Sequence, residues 1–511
     1  MNPMLERVNR FIRELADVQW LERKAIRDWS IEKKYYVLPG EYKELGAIDR
    51  PGLTDGDEGA GLGTVPFPSK QGTTYFFRTK LDIPSEWNVA AGPIGLVFES
   101  GGEGLLRVNG ASWAGLDRNH TFALLDAAKI GSSPELEIEL SDPIPEPNDQ
   151  LNRQAVIQPP ISGVRSELVQ ANGAVQSLMY TATIVRDSAL LLPESDLRRT
   201  RLFEALFRAM DSFVGMEESE IREGGGLKRI DEQLTVDVRN VGGNAEGLIR
   251  MVGQSHIDIA WLWPVRETVR KASRTFSTVD ALMREYPDFK YSQSQPLLFE
   301  FLKENDPELY GRIKERIKEG RVELVGGMWV EPDLNIPSGE SLIRQMLYGQ
   351  RFYQEEFGLV SKIEWLPDTF GYCASLPQIL KHGGIEYFMT TKLGWNDTNV
   401  FPHDLFHWVG IDGTPILSYL NHGVNEHTLP KDIHDHWQSY RQKSVHPEQM
   451  LLYGHGDGGG GVTREMIEYV DRSELMVGQP ANRYGTAADF FEGIGKSRDS
   501  LPSWHGDLYL E

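Results

Sequence analysis

The sequence predicts an α/β protein: a parallel-sheet domain with helical crossovers, preceded by a β-sandwich-like domain with flanking helices. Three observations carry this. Residues 36–190 break into short alternating segments punctuated by Gly and Pro, residues 191–247 read as helix and glycine cluster, and from Leu248 onward apolar runs alternate with helical stretches. At 511 residues the chain exceeds what one hydrophobic core usually fills, so a division into domains is expected.

The opening MNPMLERVNRFIRELADVQW spaces Met4, Leu5, Val8, Phe11, Ile12 and Leu15 at helical intervals among charges, which makes residues 1–35 a helical segment and no signal-peptide core. TTYFFRTKLDI, GLVFES, GLLRVNG and LEIELSD read as strands of the domain over 36–190. LRRTRLFEALFRAMDSFVGM and the cluster EGGGL form a helical linker over 191–247. Beyond it, LIRMVGQSH, FKYSQS, RVELVGG, KIEWLPD and IEYFMTT are separated by helices, and 248–511 is the expected parallel-sheet domain. Ligands of such folds sit at the carboxyl ends of the strands.

Composition narrows the partners. Lys and Arg number 53 against 75 Asp and Glu, a formal charge of −22 that repels nucleic acid and anionic membranes and favours a neutral or cationic ligand. No apolar run approaches a bilayer span. Cys373 is the only cysteine, which excludes an intramolecular disulfide and a cysteine-built metal site and fits a cytoplasmic location. The sequence leaves open whether the chain forms a homo-oligomer.

His256 and Asp258 close the first apolar run at i and i+2, a spacing that turns both side chains to one face and suits zinc or a similar ion. Alone, such a histidine is as well explained by a hydrogen bond to its neighbour. Asp368 in WLPDTFGY closes another strand, unless it caps the helix of SLPQILK. Asp457 in LLYGHGDGGGG follows a further apolar run, in a loop that could equally be a flexible turn. Trp261, Trp263, Trp329, Phe370, Tyr372 and Trp395 gather at the same strand ends. Each alone is an ordinary core residue, but beside carboxylates they suit a sugar, which stacks its C–H faces and offers hydroxyls.

Taken together, GQSHIDIAWLWP, GGMWVEPDLNIPSGESLIRQ, WLPDTFGYCASLPQI, TTKLGWND and YGHGDGGGG resemble glycoside hydrolase family 38, the α-mannosidases, and most closely its cytosolic or vacuolar branch. The resemblance implies a seven-stranded parallel (β/α) barrel. It makes His256, Asp258 and Asp368 ligands of one divalent metal ion, Zn2+ or alternatively Co2+, with Asp368 also the nucleophile and Asp457 the acid/base. Trp261 and Phe370 would line the sugar subsite, with Asp333 and Lys392 at its hydroxyls. The implied reaction is a retaining double displacement on a mannose-containing oligosaccharide. Members of the branch continue past a segment like GDLYLE with a His-Arg-Gly-Thr stretch that supplies a fourth ligand, whereas this sequence stops at Glu511. A truncated catalytic region, with C-terminal domains absent and metal binding and activity impaired, is therefore the expectation. A metal-dependent polysaccharide deacetylase and a catalytically silent carbohydrate-binding protein are the alternatives.

Overall fold

The computed structural model of the chain describes residues 3–48, 63–67, 69–87, 91–142 and 161–509. Leu510 and Glu511, where the fourth-ligand expectation arose, lie outside the described residues. The backbone divides into two units, Met1–Val241 with Ala260–Ala281, and Gly242–Ile259 with Leu282–Glu511.

In the first unit two antiparallel sheets share one apolar cluster. One runs in the order Trp20–Ala25, Gly163–Ala171, Ile94–Glu99, Phe122–Leu124. The other runs Glu41–Ala47, Ser30–Leu38, Thr74–Lys80, Glu135–Ser141, Glu103–Val108, Ala111–Leu116. Register explains the core: Ile138 sits opposite Phe77 on one side and Leu106 on the other, and all three are fully buried. Trp29 meets the rings of Phe77 and Phe98 edge-on at 5.9 and 6.3 Å.

The boundaries differ from those expected. Strands begin at Trp20, inside the segment expected to be helical, and Gly173–Leu191 is a helix although its Val, Ile and Thr content suited a strand. Burial of Val175, Leu178, Ala182, Val185 and Ala189 follows a helical period, and Asn172 caps the start by accepting from the Val175 amide. Leu197–Val214 and Gly225–Val241 pack with Pro3–Asp17 and Gly173–Leu191 as a helical layer, not as a linker. Their buried stripes, including Leu202, Leu206 and Phe213 of one and Leu227, Leu234 and Val238 of the other, need partners, and Phe11 meets Phe213 at 5.5 Å.

In the second unit the strands are β1 (Ala245–Gln254), β2 (Tyr291–Gln293), β3 (Val322–Leu324), β4 (Ile363–Leu366), β5 (Tyr387–Thr390), β6 (Leu405–Val409), β7 (Pro415–Leu420), β8 (Glu448–Tyr453), β9 (Pro480–Tyr484) and β10 (Ser503–His505). Helices such as Pro296–Asn305, Pro307–Lys318, Gly339–Phe357 and Leu376–His382 separate them, as α/β alternation requires. Hydrogen bonding groups them into two sheets, β3-β2-β1-β8 with β9 also on β1, and β4-β5-β7-β6-β10. Strand pairing alone does not close these sheets into the ring of seven parallel strands that the resemblance implies. Within these two sheets every pair is parallel except β6–β7, because Asp412 and Gly413 turn the chain back in a tight hairpin, and a separate two-stranded sheet pairs Gly371–Tyr372 antiparallel with Leu508–Tyr509. At the sheet margins the Gly326 amide donates to Ile363 O over 2.8 Å, and Glu426 bridges Tyr453. Val252, Trp365, Met389, Leu417, Tyr419, Met450 and Leu452, drawn from both sheets, join one buried cluster. Among the described residues no helix is long and apolar enough to cross a membrane.

Candidate functional site

The first strand stops at Gln254, so His256 and Asp258 stand beyond it. Their common orientation is kept by Ile257, fully buried and bridged antiparallel to Gly458, while the Asp258 amide donates to Asp457 O over 3.0 Å. These contacts join the β1 loop to the β8 loop. Nε2 of His256 lies 3.3 Å from Asp258 Oδ1 and 3.7 Å from Asp368 Oδ2. Asp368 follows β4 by two residues in a turn, and the next helix begins at Leu376, so the helix-cap alternative falls away.

Nor is the glycine-rich loop a flexible turn. His455 and Gly461 exchange two backbone hydrogen bonds of 2.8 and 2.9 Å, closing the loop at its base. Asp457 adopts φ 60°, a conformation unusual for a residue with a side chain and often retained at functional sites. Burial raises its carboxyl pKa, with Asp368 and Asp258 adding to the rise and His256 opposing it. Asn425 Nδ2 reaches its Oδ2 at 3.4 Å.

The ligand atoms of His256, Asp258 and Asp457 lie within 4.8 Å of one another. Asp457, expected as the acid/base, thus joins His256 and Asp258, while Asp368, expected as the third ligand, adjoins the group on its His256 side. One imidazole nitrogen and converging carboxylate oxygens form a donor set that fits a hard-to-borderline divalent ion such as zinc.

Lys392, in a 3₁₀ turn beyond β5, is 2% exposed and ion-pairs Asp368. Its Nζ lies 4.5 Å from the Phe370 ring centre and 3.4 Å from that of Trp395. Phe370 is 55% exposed and Trp395 66%, edge to face at 6.2 Å, so both rings are open to a ligand. Asp333 is exposed, and its Oδ1 accepts from the Asn335 and Ile336 amides in its own turn. Trp261 belongs to the segment grouped with the first unit, where it is 57% exposed and meets Trp263 edge-on at 5.7 Å.

Sequence reasoning missed Glu331. Its Oε2 lies 3.1 Å from His256 Nδ1, with its side chain only 6% exposed. Burial alone would lower the His256 pKa, but Glu331 and Asp258 together raise it well above the ordinary imidazole value. The signal was available: an acid in the loop after an apolar strand, in MWVEPD, where Trp329 and Asp333 drew the attention.

Fold and site define an α/β protein with an imidazole–carboxylate centre at its strand ends. Residues 246–507 match the Glycosyl hydrolases family 38 N-terminal domain, and the chain belongs to that family. It is 36% identical to Alpha-mannosidase G of Dictyostelium discoideum over 454 residues, 86% of this chain and 41% of that one. Identity to Alpha-mannosidase of Saccharomyces cerevisiae is 43% over 51% of this chain and 25% of that one. For Alpha-mannosidase 2C1 of Homo sapiens it is 33% over 86% of this chain and 42% of that one. The chain thus spans less than half the length of these relatives, and the family is not that of the deacetylase alternative.

Proposed function

We propose that this chain carries the catalytic site of a retaining α-mannosidase acting on terminal α-linked mannose of oligosaccharides. The observation that carries the reading is the placement of two carboxyl groups of contrasting surroundings beside His256 and Asp258. Asp368 is ion-paired with Lys392, as suits a nucleophilic carboxylate; Asp457 is buried with a raised pKa, as suits a group that must give a proton.

In the first step Asp368 attacks the anomeric carbon while Asp457 protonates the departing glycosidic oxygen, so the C–O bond breaks as the glycosyl–Asp368 ester forms. In the second, water attacks the same carbon, its proton passes to Asp457, and Asp368 leaves as the carboxylate. Lys392 steadies the Asp368 carboxylate before the first step and as it is released in the second, and the exposed faces of Phe370 and Trp395 offer a platform for the ring. His256, Asp258 and Asp368 would hold a divalent ion, Zn2+ or Co2+, with Asp457 kept free for proton transfer. When bound, such an ion polarises and grips sugar hydroxyls.

The reading includes a catalytic barrel of β1, β2, β3, β4, β5, β7 and β8, supported by the Gly326–Ile363 hydrogen bond and the Glu426–Tyr453 bridge that link the two sheets. A cytoplasmic location is supported by Cys373, a free thiol and the only cysteine. Hydrolysis of an aryl α-mannoside at saturating zinc or cobalt, followed by proton NMR of the first product, tests the proposal. α-Mannose first is expected. β-Mannose first, or no hydrolysis, overturns it.

A further inference from the structure

We infer that Glu331 is a positioning residue for the metal centre, holding His256 by Nδ1 so that Nε2 is the ligand atom turned to the aspartates. The inference rests on the metal-assisted reading above. It stands on geometry: Nδ1 and Glu331 Oε2, both buried and neither with a hydrogen-bond partner, face each other at 3.1 Å, and Nε2 is the nitrogen near Asp258 and Asp368. A histidine ligand whose second nitrogen is held by a carboxylate has its tautomer and ring plane fixed, and such outer partners govern affinity.

Glu331 is itself held through one carboxylate oxygen and its backbone amide. Its Oε1 accepts from Ser294 Oγ over 2.7 Å, and its backbone amide donates to Gln295 Oε1 over 3.2 Å. Gln295 then donates from Nε2 to Ile257 O over 2.7 Å, the carbonyl between the two ligand residues. One side chain thus ties the β1 loop to the loop that carries Glu331. Gln295 does so at φ 63° while 2% exposed, a left-handed conformation that persists only where its surroundings enforce it. On the far flank the Trp329 amide donates to Gln345 O and the Val330 amide to Gln345 Oε1, at 3.0 and 3.1 Å. The path from β3 to Glu331 is therefore fixed, and His256, at 3% exposure, has little room to turn.

The test is zinc affinity of the 511-residue chain, measured by competition with a chromophoric chelator, for the parent, Glu331→Gln, His256→Ala and the double variant. Glu331→Gln should bind zinc about 10- to 100-fold more weakly, while its metal-free thermal midpoint stays within a few degrees of the parent. Because Glu331 acts through His256, the double variant should bind no more weakly than His256→Ala alone. Two results overturn the inference: unchanged affinity in Glu331→Gln, or losses that multiply in the double variant. A parent chain that binds no zinc would remove the metal-assisted reading and this inference with it, whereas a parent that binds as well as Glu331→Gln removes the inference alone.

Discussion

Buried charge is treated in opposite ways in the sheet core of the first unit and at the strand ends of the second. In the first, carboxylates are matched by cations: Glu139 by Arg107 and Arg270, Glu103 by Lys271 and Arg274, Glu167 by Arg23 and Arg165. At the strand ends of the second, Asp258, Asp368, Asp457 and Glu331 gather around His256 and Lys392. Burial penalises an uncompensated charge heavily. Acids gathered in excess around one imidazole and one ammonium make room there for a cation or a proton.

The largest expected effect breaks the acid-rich side. Asp368→Asn should lower turnover of an aryl α-mannoside at saturating zinc by about a thousandfold or more, the scale on which loss of a catalytic nucleophile acts, with unchanged circular dichroism. Retained turnover would move the nucleophile elsewhere. Next is Asp457→Ala, expected to cost about 10²- to 10⁴-fold on a natural oligosaccharide and clearly less on an aryl glycoside, whose leaving group needs little protonation. Since the Asp457 pKa is raised, the parent's rate should fall on the alkaline side as that carboxyl ionises, and the variant's profile should lose the fall.

The paired side gives smaller effects, read as stability against pH. Burial would push Glu103 up, but Arg274 and Lys271 outweigh it and bring its pKa to about 2, below the ordinary 4.5. The stability it contributes is full above pH 4.5 and is lost as pH falls toward 2. Glu103→Gln should therefore destabilise by about 2 to 3 kcal/mol at neutral pH and flatten the acid limb of a thermal-midpoint profile. An unchanged acid limb would show that the pairing is not what holds that sheet.

Glu364 on β4 is the mirror case. It is 1% exposed, and burial raises its pKa to about 8; the Gly327 and Met328 amides oppose the rise and the Glu331 charge adds to it. A raised carboxyl pKa means that ionisation works against the fold, so stability falls as pH rises from 4.5 through about 8. Glu364→Gln, which can still accept from the Gly327 amide, should gain about 1 kcal/mol at alkaline pH, roughly 2 to 4 °C in midpoint. A loss there instead would mean the carboxylate has a partner of its own.

Much of this contrast was legible in advance. His256, Asp258 and Asp457 were singled out from short motifs at strand ends, and they converge in space because neighbouring strands deliver their loops to one rim. What spacing could not reveal was the backbone hydrogen bond from Asp258 to Asp457, which depends on how two loops 199 residues apart meet. Glu331 was hidden for a similar reason: an acid in a loop gives no sign of the imidazole it will face. In the first unit, Gly173–Leu191 misled because β-branched residues suggest strands, whereas its apolar period and its Asn172 cap favour the helix. The β6–β7 hairpin lies beyond IEYFMTT, the last of the alternating segments read from the sequence, and Asp412-Gly413 is the turn signal that marks it.

The first unit is built from two separated stretches of chain, and this bears on the order in which the protein can be made. Ala260–Ala281 supplies contacts that the β-rich core uses: Thr278 Oγ1 accepts from the Gly115 amide, Lys271 answers Glu103, and Ala281 packs against the apolar cluster. Domains emerging from the ribosome fold as units, amino-terminal first. Here the amino-terminal unit cannot close until translation has passed Ala281, and by then His256 and Asp258 have already been synthesised. A nascent chain halted near Val241 would expose sheet surface meant for a helix not yet made, and it would be the stage at which a trigger for aggregation or a chaperone finds the most to hold.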